Sequence, residues 1–448
     1  MTQSLSEGIG PAAAFPRLRQ PGGNPPRLLV AGFFAPRAGL GRVTWTLARA
    51  LAADWDVHFF GIDHHGEILH RSGVTLHPRR TKGIDLYGYG DWSDLVEELQ
   101  PAAVLLVNDL NLLGGYVESL RRCAVRPRVV AYSPVDGELH DPEILLSLQG
   151  LDRMVVYGAF GAREIQQAAR RLNERSPDFS MPRLASVPHG VDRDVFHPLT
   201  APGDRERCRL ARQWLFPERP ELHRGWWVLN ANTLTPRKCL ETTLWGFAEF
   251  ARDKPADVRL YLHHLHSRQP RHRELLSLAD RLGIAGRLIP SLLEQGGGRP
   301  VSDRRMNLLY NACEVGVNTS MGEGWGLVSF EHAATGAAQI VPGHSAPGDL
   351  WRGAAPLLSP KSKDPGGPVA AMQRVSSQDL GRELENLYLD PERLRSVAQD
   401  CFQRAALDGW TWEQIGRMWR ELFKDLRTSE RKSGKESRWH RVDLGPTC

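Results

Sequence analysis

No stretch of the 448 residues approaches the ~20 consecutive apolar residues that a membrane-spanning helix needs. The N-terminus also lacks a basic segment followed by an apolar run, so no secretory signal is read and the expected compartment is the cytoplasm. Cysteine is scarce. Cys123, Cys208, Cys239, Cys313, Cys401 and Cys448 are scattered, with no CxxC pair, which excludes a disulfide framework and reads as reduced thiols. Charge of one sign is lacking too: 57 basic against 52 acidic residues leave +5. That permits an anionic small-molecule substrate or peripheral contact with an anionic membrane surface. Because Arg and Lys are dispersed among nearly equal acids, no nucleic-acid partner is expected. No internal repeat recurs at a fixed period, and no GxxxxGK[ST] phosphate loop occurs. With 41 % apolar and 24 % charged residues, the composition is that of an ordinary globular chain, neither disordered nor collagen-like.

What is present is an alternation of short apolar strands and helical segments. Residues 1–26, with Pro11, Pro16, Pro21, Pro25 and Pro26, read as a flexible leader. Strands are expected at Arg27–Ala31, Asp56–Gly61, Ala103–Val107, Pro127–Tyr132, Arg153–Tyr157 and Leu184–Pro188. A polar, Pro-containing stretch from Pro198 to Pro220 interrupts the rhythm. It restarts with strands at Trp226–Asn230, Val258–Leu262, Arg287–Ile289, Glu314–Val317 and Gln339–Val341. Helices are expected at Leu240–Arg252, across Phe330–Ala337, and as a strongly amphipathic segment at Trp412–Leu426. Two such series imply two Rossmann-like α/β domains, expected at 27–205 and 206–408. A C-terminal helix follows over 409–427, and then a basic, polar tail over 428–448.

Three segments carry chemistry. Gly39-Leu40-Gly41 follows the first strand, where glycines let a ligand approach the backbone. The third glycine of a dinucleotide fingerprint is replaced by Thr44, which disfavours NAD. Asn232 to Lys238 follows the first strand of the second series, so Arg237 and Lys238 fall at a strand's C-terminal end, where open α/β sheets bind ligands. An Arg fork beside a Lys point charge suits a diphosphate. In Met321 to Glu331, Glu323 lies in a glycine loop with Gly324 and Gly326, and Glu331 lies in the helix that follows. A carboxylate inside so apolar a helix needs a partner, which ribose hydroxyls would supply.

Here the chain resembles the retaining glycosyltransferases of family 4, which have the two-domain GT-B fold. The matching residues are Glu323-Gly324-Trp325-Gly326-Leu327 through Glu331 (the family's E-x7-E signature), Arg237-Lys238, His189-Gly190-Val191-Asp192 with Phe196 and Pro198, Gly39-x-Gly41, and Trp410 to Glu413. The resemblance spans roughly Arg27 to Phe423. It implies that Glu331 binds the donor's ribose and Glu323 the transferred sugar, aided by backbone amides of Gly324 to Leu327. Arg237 and Lys238 would neutralise the departing diphosphate with no metal and no cofactor beyond the nucleotide-sugar co-substrate. Gly39, Gly41 and Asn232 complete the expected donor contacts, and the terminal helix would cross back to the first domain. The acceptor (glycan, lipid-linked or small molecule) is not specified. Where the family often has a His after the fourth strand, this chain has Ser133 to His140, making Asp136 and His140 candidates for sugar or acceptor contacts, with His189 at the domain entrance. A phosphorylase of the same fold and a non-catalytic sugar-nucleotide binding module are the alternatives. His263, His264 and His266 lack carboxylate or Cys neighbours at ligand spacing and read as loop or strand residues, not a metal centre.

Overall fold

The computed structural model describes residues 25–34, 39–81, 83–264, 270–289, 291–292, 301–364, 367 and 369–428. They form two compact units. One holds residues 25–190, 367, 369–370 and 412–428; the other holds 191–364 and 371–411. The basic tail beyond Thr428, the leader up to residue 24 and His266 lie outside the described residues. Among the described residues no helix is long and apolar enough to cross a membrane.

The first unit is built on an eight-stranded sheet. Its strands are β1 (Arg27–Gly32), β2 (Asp56–Gly61), β3 (Leu69–Arg71), β4 (Val74–Pro78), β5 (Ala103–Val107), β6 (Arg128–Ser133), the separate short β7 (Glu138–Leu139), β8 (Arg153–Val156) and β9 (Arg183–Ser186). The spatial order is β3-β4-β2-β1-β5-β6-β8-β9, parallel except for the β3–β4 hairpin at one edge. Every residue of β5, and all but the first of β1, is buried, as expected of strands covered on both faces. The helix Trp412–Thr428 belongs to this unit. Its buried residues Ile415, Trp419, Phe423 and Leu426 recur at three- and four-residue spacing, one stripe of an amphipathic helix. Trp419 packs edge-on against Tyr132 at 4.9 Å and Phe423 against Trp55 at 5.4 Å. Arg153 donates to Asp425 at 2.5 Å.

The second unit has a six-stranded parallel sheet: β10 (Trp226–Asn230), β11 (Val258–Leu262), β12 (Leu288–Ile289), β13 (Val315–Val317), β14 (Ala338–Pro342) and β15 (Leu357–Leu358), in the order β12-β11-β10-β13-β14-β15. The chain winds from β10 outward to β12, then returns to the other side of β10 as β13. The β10–β13 boundary is therefore a topological switch point, where loops leaving the strands' C-terminal ends part and leave a crevice. A β-hairpin of β16 (Pro360–Asp364) and β17 (Ala370–Val375) follows.

A buried ion pair braces the base of this sheet. Arg212 donates to Glu314 Oε2 at 2.6 Å and to the Ala312 carbonyl at 2.8 Å, while its guanidinium lies 4.3 Å from the Trp227 ring centre. Glu314 Oε2 also accepts from the Trp227 backbone at 2.7 Å. Arg207 donates to the carbonyls of Asn311 and Cys313. Burial of these charges is offset because each finds several partners.

The expected helix across Phe330–Ala337 is shifted and shorter, Leu327–Ala333. Gly336 takes a left-handed conformation (φ 81°) and the chain turns there, so the apolar run through Ala337 does not continue as helix.

Candidate functional site

Three adjacent strands of the second unit, β10, β13 and β14, deliver their C-terminal loops to one place. After β10, the turn Pro236–Lys238 brings out Arg237 and Lys238. After β13 comes Asn318 to Glu323, and after β14 comes Gly343 to Ser345. Backbone bonds tie the loops together: Met321 N donates to the Arg237 carbonyl (2.8 Å), and Ala346 N to the Glu323 carbonyl (3.2 Å).

Glu323 is the centre of this cluster and is 6 % exposed. Its Oε1 accepts from Lys238 Nζ in a short ion pair, from Ser320 Oγ at 2.8 Å and from Asn318 Nδ2 at 3.4 Å. Its Oε2 accepts from Arg237 at 3.4 Å, and Arg237 also donates to the Gly322 carbonyl. Burial alone would raise this carboxyl. The charges of Lys238 and Arg237 and the bonds from Lys238 and Ser320 overcome it and draw the pKa down from 4.5 to about 2. Glu323 is thus a fixed anion at neutral pH.

A polar chain beneath the ion pair fixes Lys238. Thr319 Oγ1 lies within bonding distance of the Lys238 and Cys239 carbonyls (3.1 and 3.0 Å) and of Thr243 Oγ1 (2.9 Å). Asn230 Nδ2 donates to Thr243 at 2.8 Å, and Asn230 Oδ1 accepts from both the backbone and side-chain nitrogens of Asn232 at 3.1 Å. Asn232 is thereby connected to the loop that carries Lys238.

Gly326 caps the Leu327–Ala333 helix with φ 95°, a conformation glycine adopts without strain. Trp325 is buried, stacked on Phe330 at 5.1 Å and edge-on to Trp410 at 5.3 Å, so it supports the loop through packing. Glu331, 9 % exposed, lies within the helix and accepts from the Tyr310 hydroxyl at 3.0 Å. Tyr310 in turn stacks on the buried His332. Seven of the residues singled out from sequence, Arg237, Lys238, Glu323, Gly324, Trp325, Gly326 and Leu327, are brought together or are contiguous here; Asn232 is linked to the Lys238 carbonyl through Asn230, Thr243 and Thr319, and Glu331 lies in the helix that follows this loop.

The other five lie on the first unit. Gly39 and Gly41 form the first turn of the Gly39–Leu51 helix after β1, and β1 sits beside β5 at that sheet's own switch point. Thr44, in the place of a third fingerprint glycine, is buried. A Cβ on Gly32 would come within 2.7 Å of its methyl, so the close strand–helix approach uses Gly32 instead. Asp136 is half-buried and His140 is exposed. His189 is enclosed: its Nδ1 is 2.9 Å from the Tyr132 hydroxyl, its ring lies 4.0 Å from that of Tyr157, and burial lowers its pKa to about 3. It is a neutral ring in an aromatic cluster. Among the described residues, no group of three or more His, Cys, Asp and Glu is placed to hold a metal ion.

No protein-family model matches the chain, and no curated protein does. Solved structures do match along nearly the whole length. Sucrose-phosphate synthase from Thermosynechococcus elongatus is 15 % identical with a TM-score of 0.68, covering 90 % of this chain and 99 % of that one. Anabaena HepE, solved with UDP and glucose, is 14 % identical with a TM-score of 0.63, covering 89 % and 100 %. A UDP-forming α,α-trehalose-phosphate synthase from Burkholderia xenovorans, solved with glucose-6-phosphate, is 13 % identical with a TM-score of 0.63, covering 90 % and 100 %. The fold is GT-B. At these identities the likeness is one of fold.

Sequence reading missed two parts of this site. One is the polar run Asn318-Thr319-Ser320, which holds Lys238 and Glu323 in place. Its signal was available: three polar residues directly after a wholly buried strand, at the strand's C-terminal end. The other is the loop His344-Ser345. Ser345 Oγ accepts from Glu323 N at 3.2 Å, and Ser345 holds φ 49° without being glycine.

Proposed function

We propose that this protein is a glycosyltransferase that moves a hexose from a nucleoside diphosphate sugar to an acceptor hydroxyl. Transfer would proceed with retention of anomeric configuration and without a metal. The observation that carries the reading is the convergence of Arg237, Lys238 and Glu323 at the switch point of a parallel sheet. Two cations meet one buried carboxylate there, braced by Asn318, Thr319 and Ser320. Departure of a nucleoside diphosphate develops negative charge on its terminal phosphate, and a preorganised Lys and Arg pair stabilises that charge where it forms. This supports leaving-group stabilisation by side chains instead of a divalent ion. The lowered pKa of Glu323 keeps it ionised, so it can accept hydrogen bonds from sugar hydroxyls and offer no proton. It suits positioning better than acid catalysis. Glu331, with one oxygen already accepting from Tyr310, is the ribose contact in this reading. The backbone of Gly324 to Leu327 lines the sugar.

The donor is a UDP-hexose in the first instance, because fold neighbours were solved with UDP and UDP-glucose. Acceptors to try first include sugar phosphates, since one neighbour was solved with glucose-6-phosphate. A cytoplasmic location is supported by the five cysteines among the described residues, all free and buried.

The test is a thermal-shift panel of UDP-, GDP-, ADP- and TDP-sugars followed by donor turnover. A ligand at 100 times its Kd adds about 2.7 kcal/mol of stability. Lys238→Ala, Glu323→Ala and Glu331→Ala should each lower turnover by at least about 100-fold, the scale on which a preorganised charge contact acts. Near-wild-type rates in all three would refute the site. Turnover that requires inorganic phosphate would reassign the chain as a phosphorylase.

A further inference from the structure

The eight-stranded sheet of the first unit ends in two unlike edges. At one, β9 lies between Pro182 and Pro188 and opens on the exposed Arg183. Charge and proline in these places keep an edge from pairing with another chain. At the other, β3 has no flanking proline, and Ile68 just before it and Leu69 within it are 46 % and 44 % exposed. Of the nine exposed large apolar side chains among the described residues, four fall within residues 68–86: Ile68, Leu69, Ile84 and Leu86. The loop bearing the last two is bonded to the segment before β3. Arg79 N donates to the His64 carbonyl at 2.8 Å, and the Arg79 guanidinium to the Asp85 carbonyl at 2.8 Å. Apolar surface is thus gathered at this edge, and such a patch marks a contact with a partner.

The backbone of β3 fixes how a partner strand can join it. Arg71 and Val74 close a two-residue turn in which Ser72 and Gly73 both have positive φ (52° and 78°), the hairpin whose closing pair exchanges both backbone bonds. Bonded and non-bonded pairs alternate. Leu69 and Arg71 therefore direct their N–H and C=O groups to β4, and those of His70 face the open edge. Side chains alternate as well: Glu67, Leu69 and Arg71 share one face, Ile68 and His70 the other.

We infer that a second copy of this chain docks on β3, the two β3 strands running antiparallel about a twofold axis at Leu69. Such an interface uses the same patch on both copies. In this register Leu69 lies opposite the partner's Leu69 in a non-bonded pair, where side chains approach most closely, and His70 exchanges backbone bonds with the partner's Ile68. Glu67 stands opposite the partner's Arg71, and Arg71 opposite the partner's Glu67, two cross-strand ion pairs from one sequence order. Moving the axis one residue to His70 loses both, because Leu69 then faces Arg71. An anionic lipid surface fits the patch less well. Residues 63–91 hold four acids against four bases, and the acids would be repelled. The interface needs no nucleotide sugar and stands apart from the function proposed above.

The test is sedimentation equilibrium of the full chain. A short ladder makes a small, weak interface, so the mass should climb from one copy to two between about 1 and 100 µM. Glu67→Arg and Arg71→Glu each turn both cross-strand pairs into like charges and should weaken the dimer at least about tenfold. An equimolar mixture of the two variants should dimerise again. In a mixed pair, two basic side chains of one copy meet two acidic ones of the other. Leu69→Lys sets like charges together at the axis and should also weaken the dimer. Circular dichroism checks that each variant is folded, and Leu69→Lys serves where a charge reversal unfolds the chain. A wild type that stays one copy over the whole range overturns the inference, whether or not it sediments with anionic vesicles. So does a dimer indifferent to all three substitutions, or loss in the single variants that their mixture fails to restore.

Discussion

Replacing Glu323 by Gln should change stability and ligand binding in ways that only this arrangement of charges predicts. Gln keeps the shape and removes the negative charge that Lys238 and Arg237 share. A carboxyl drawn from 4.5 to about 2 corresponds to about 3 kcal/mol of folding free energy at pH 7. Because the folded pKa lies below the unfolded one, that advantage is complete above pH about 4.5 and is lost as the pH falls towards about 2. The wild type should therefore melt about 6–12 °C above Glu323→Gln at pH 7, taking 2–4 °C per kcal/mol for a unit of this size. The gap should narrow steadily below pH about 4.5.

Ligand binding should move in opposite directions for two ligands. Lys238 is paired with Glu323, so a diphosphate must compete with a carboxylate for the same ammonium group. Two unit charges about 6 Å apart repel by about 3 kcal/mol at an effective dielectric constant near 20. Half of that relieved in Glu323→Gln would tighten UDP about tenfold. UDP-glucose should gain less, or lose affinity outright, because the sugar forfeits its charged acceptor. Calorimetry with both ligands, alongside urea melts from pH 2.5 to 7.5, reads all of these. UDP affinity that is unchanged or weaker in a well-folded Glu323→Gln would refute the shared-cation arrangement.

Glu314→Ala should cost about 3–5 kcal/mol in urea unfolding, because it strands Arg212, 2 % exposed, and leaves the Trp227 N–H unmet. Mild acid should destabilise the chain through its buried histidines. His189, His263 and His332 are lowered to about 3, and His77 and His344 to about 4, so all five are neutral when folded and take up protons near pH 6.5 when unfolded. Their contribution is present above pH about 6.5 and lost as the pH falls towards 4. A melting temperature flat between pH 7 and 4.5 would contradict this.

Much of the architecture is written in local sequence because parallel strands buried on both faces are short apolar runs, and Ala103–Val107 or Trp226–Asn230 can be little else. The hairpin Pro360–Asp364 with Ala370–Val375 went unread for the converse reason. Its residues include Lys361, Lys363, Gln373 and Arg374, with no apolar face to betray a period of two. The expected helix end at Ala337 failed where a run of alanines looked helical and one glycine decided otherwise. The charged members of the site, Arg237, Lys238, Glu323 and Glu331, were legible because charge at the end of an apolar strand or inside an apolar helix has to be accounted for.

His344 and Ser345 were not legible, and the reason is physical. Nothing in Pro342-Gly343-His344-Ser345 marks the loop as special until β14 is known to lie beside β13. Only that adjacency brings Ser345 Oγ onto the backbone of Glu323, 22 residues earlier in the chain. Thr319 was visible as a polar residue after a buried strand, but its partners were not: its hydroxyl reaches the carbonyls of Lys238 and Cys239 only because β13 lies beside β10. Local sequence thus nominates groups that carry charge, while sheet order selects the neutral groups that hold them. A Thr, Ser or neutral His at a strand's C-terminal end gains a role only from the strand beside it. In this chain the two strands flanking the switch point, and the one next to them, are where such residues are concentrated.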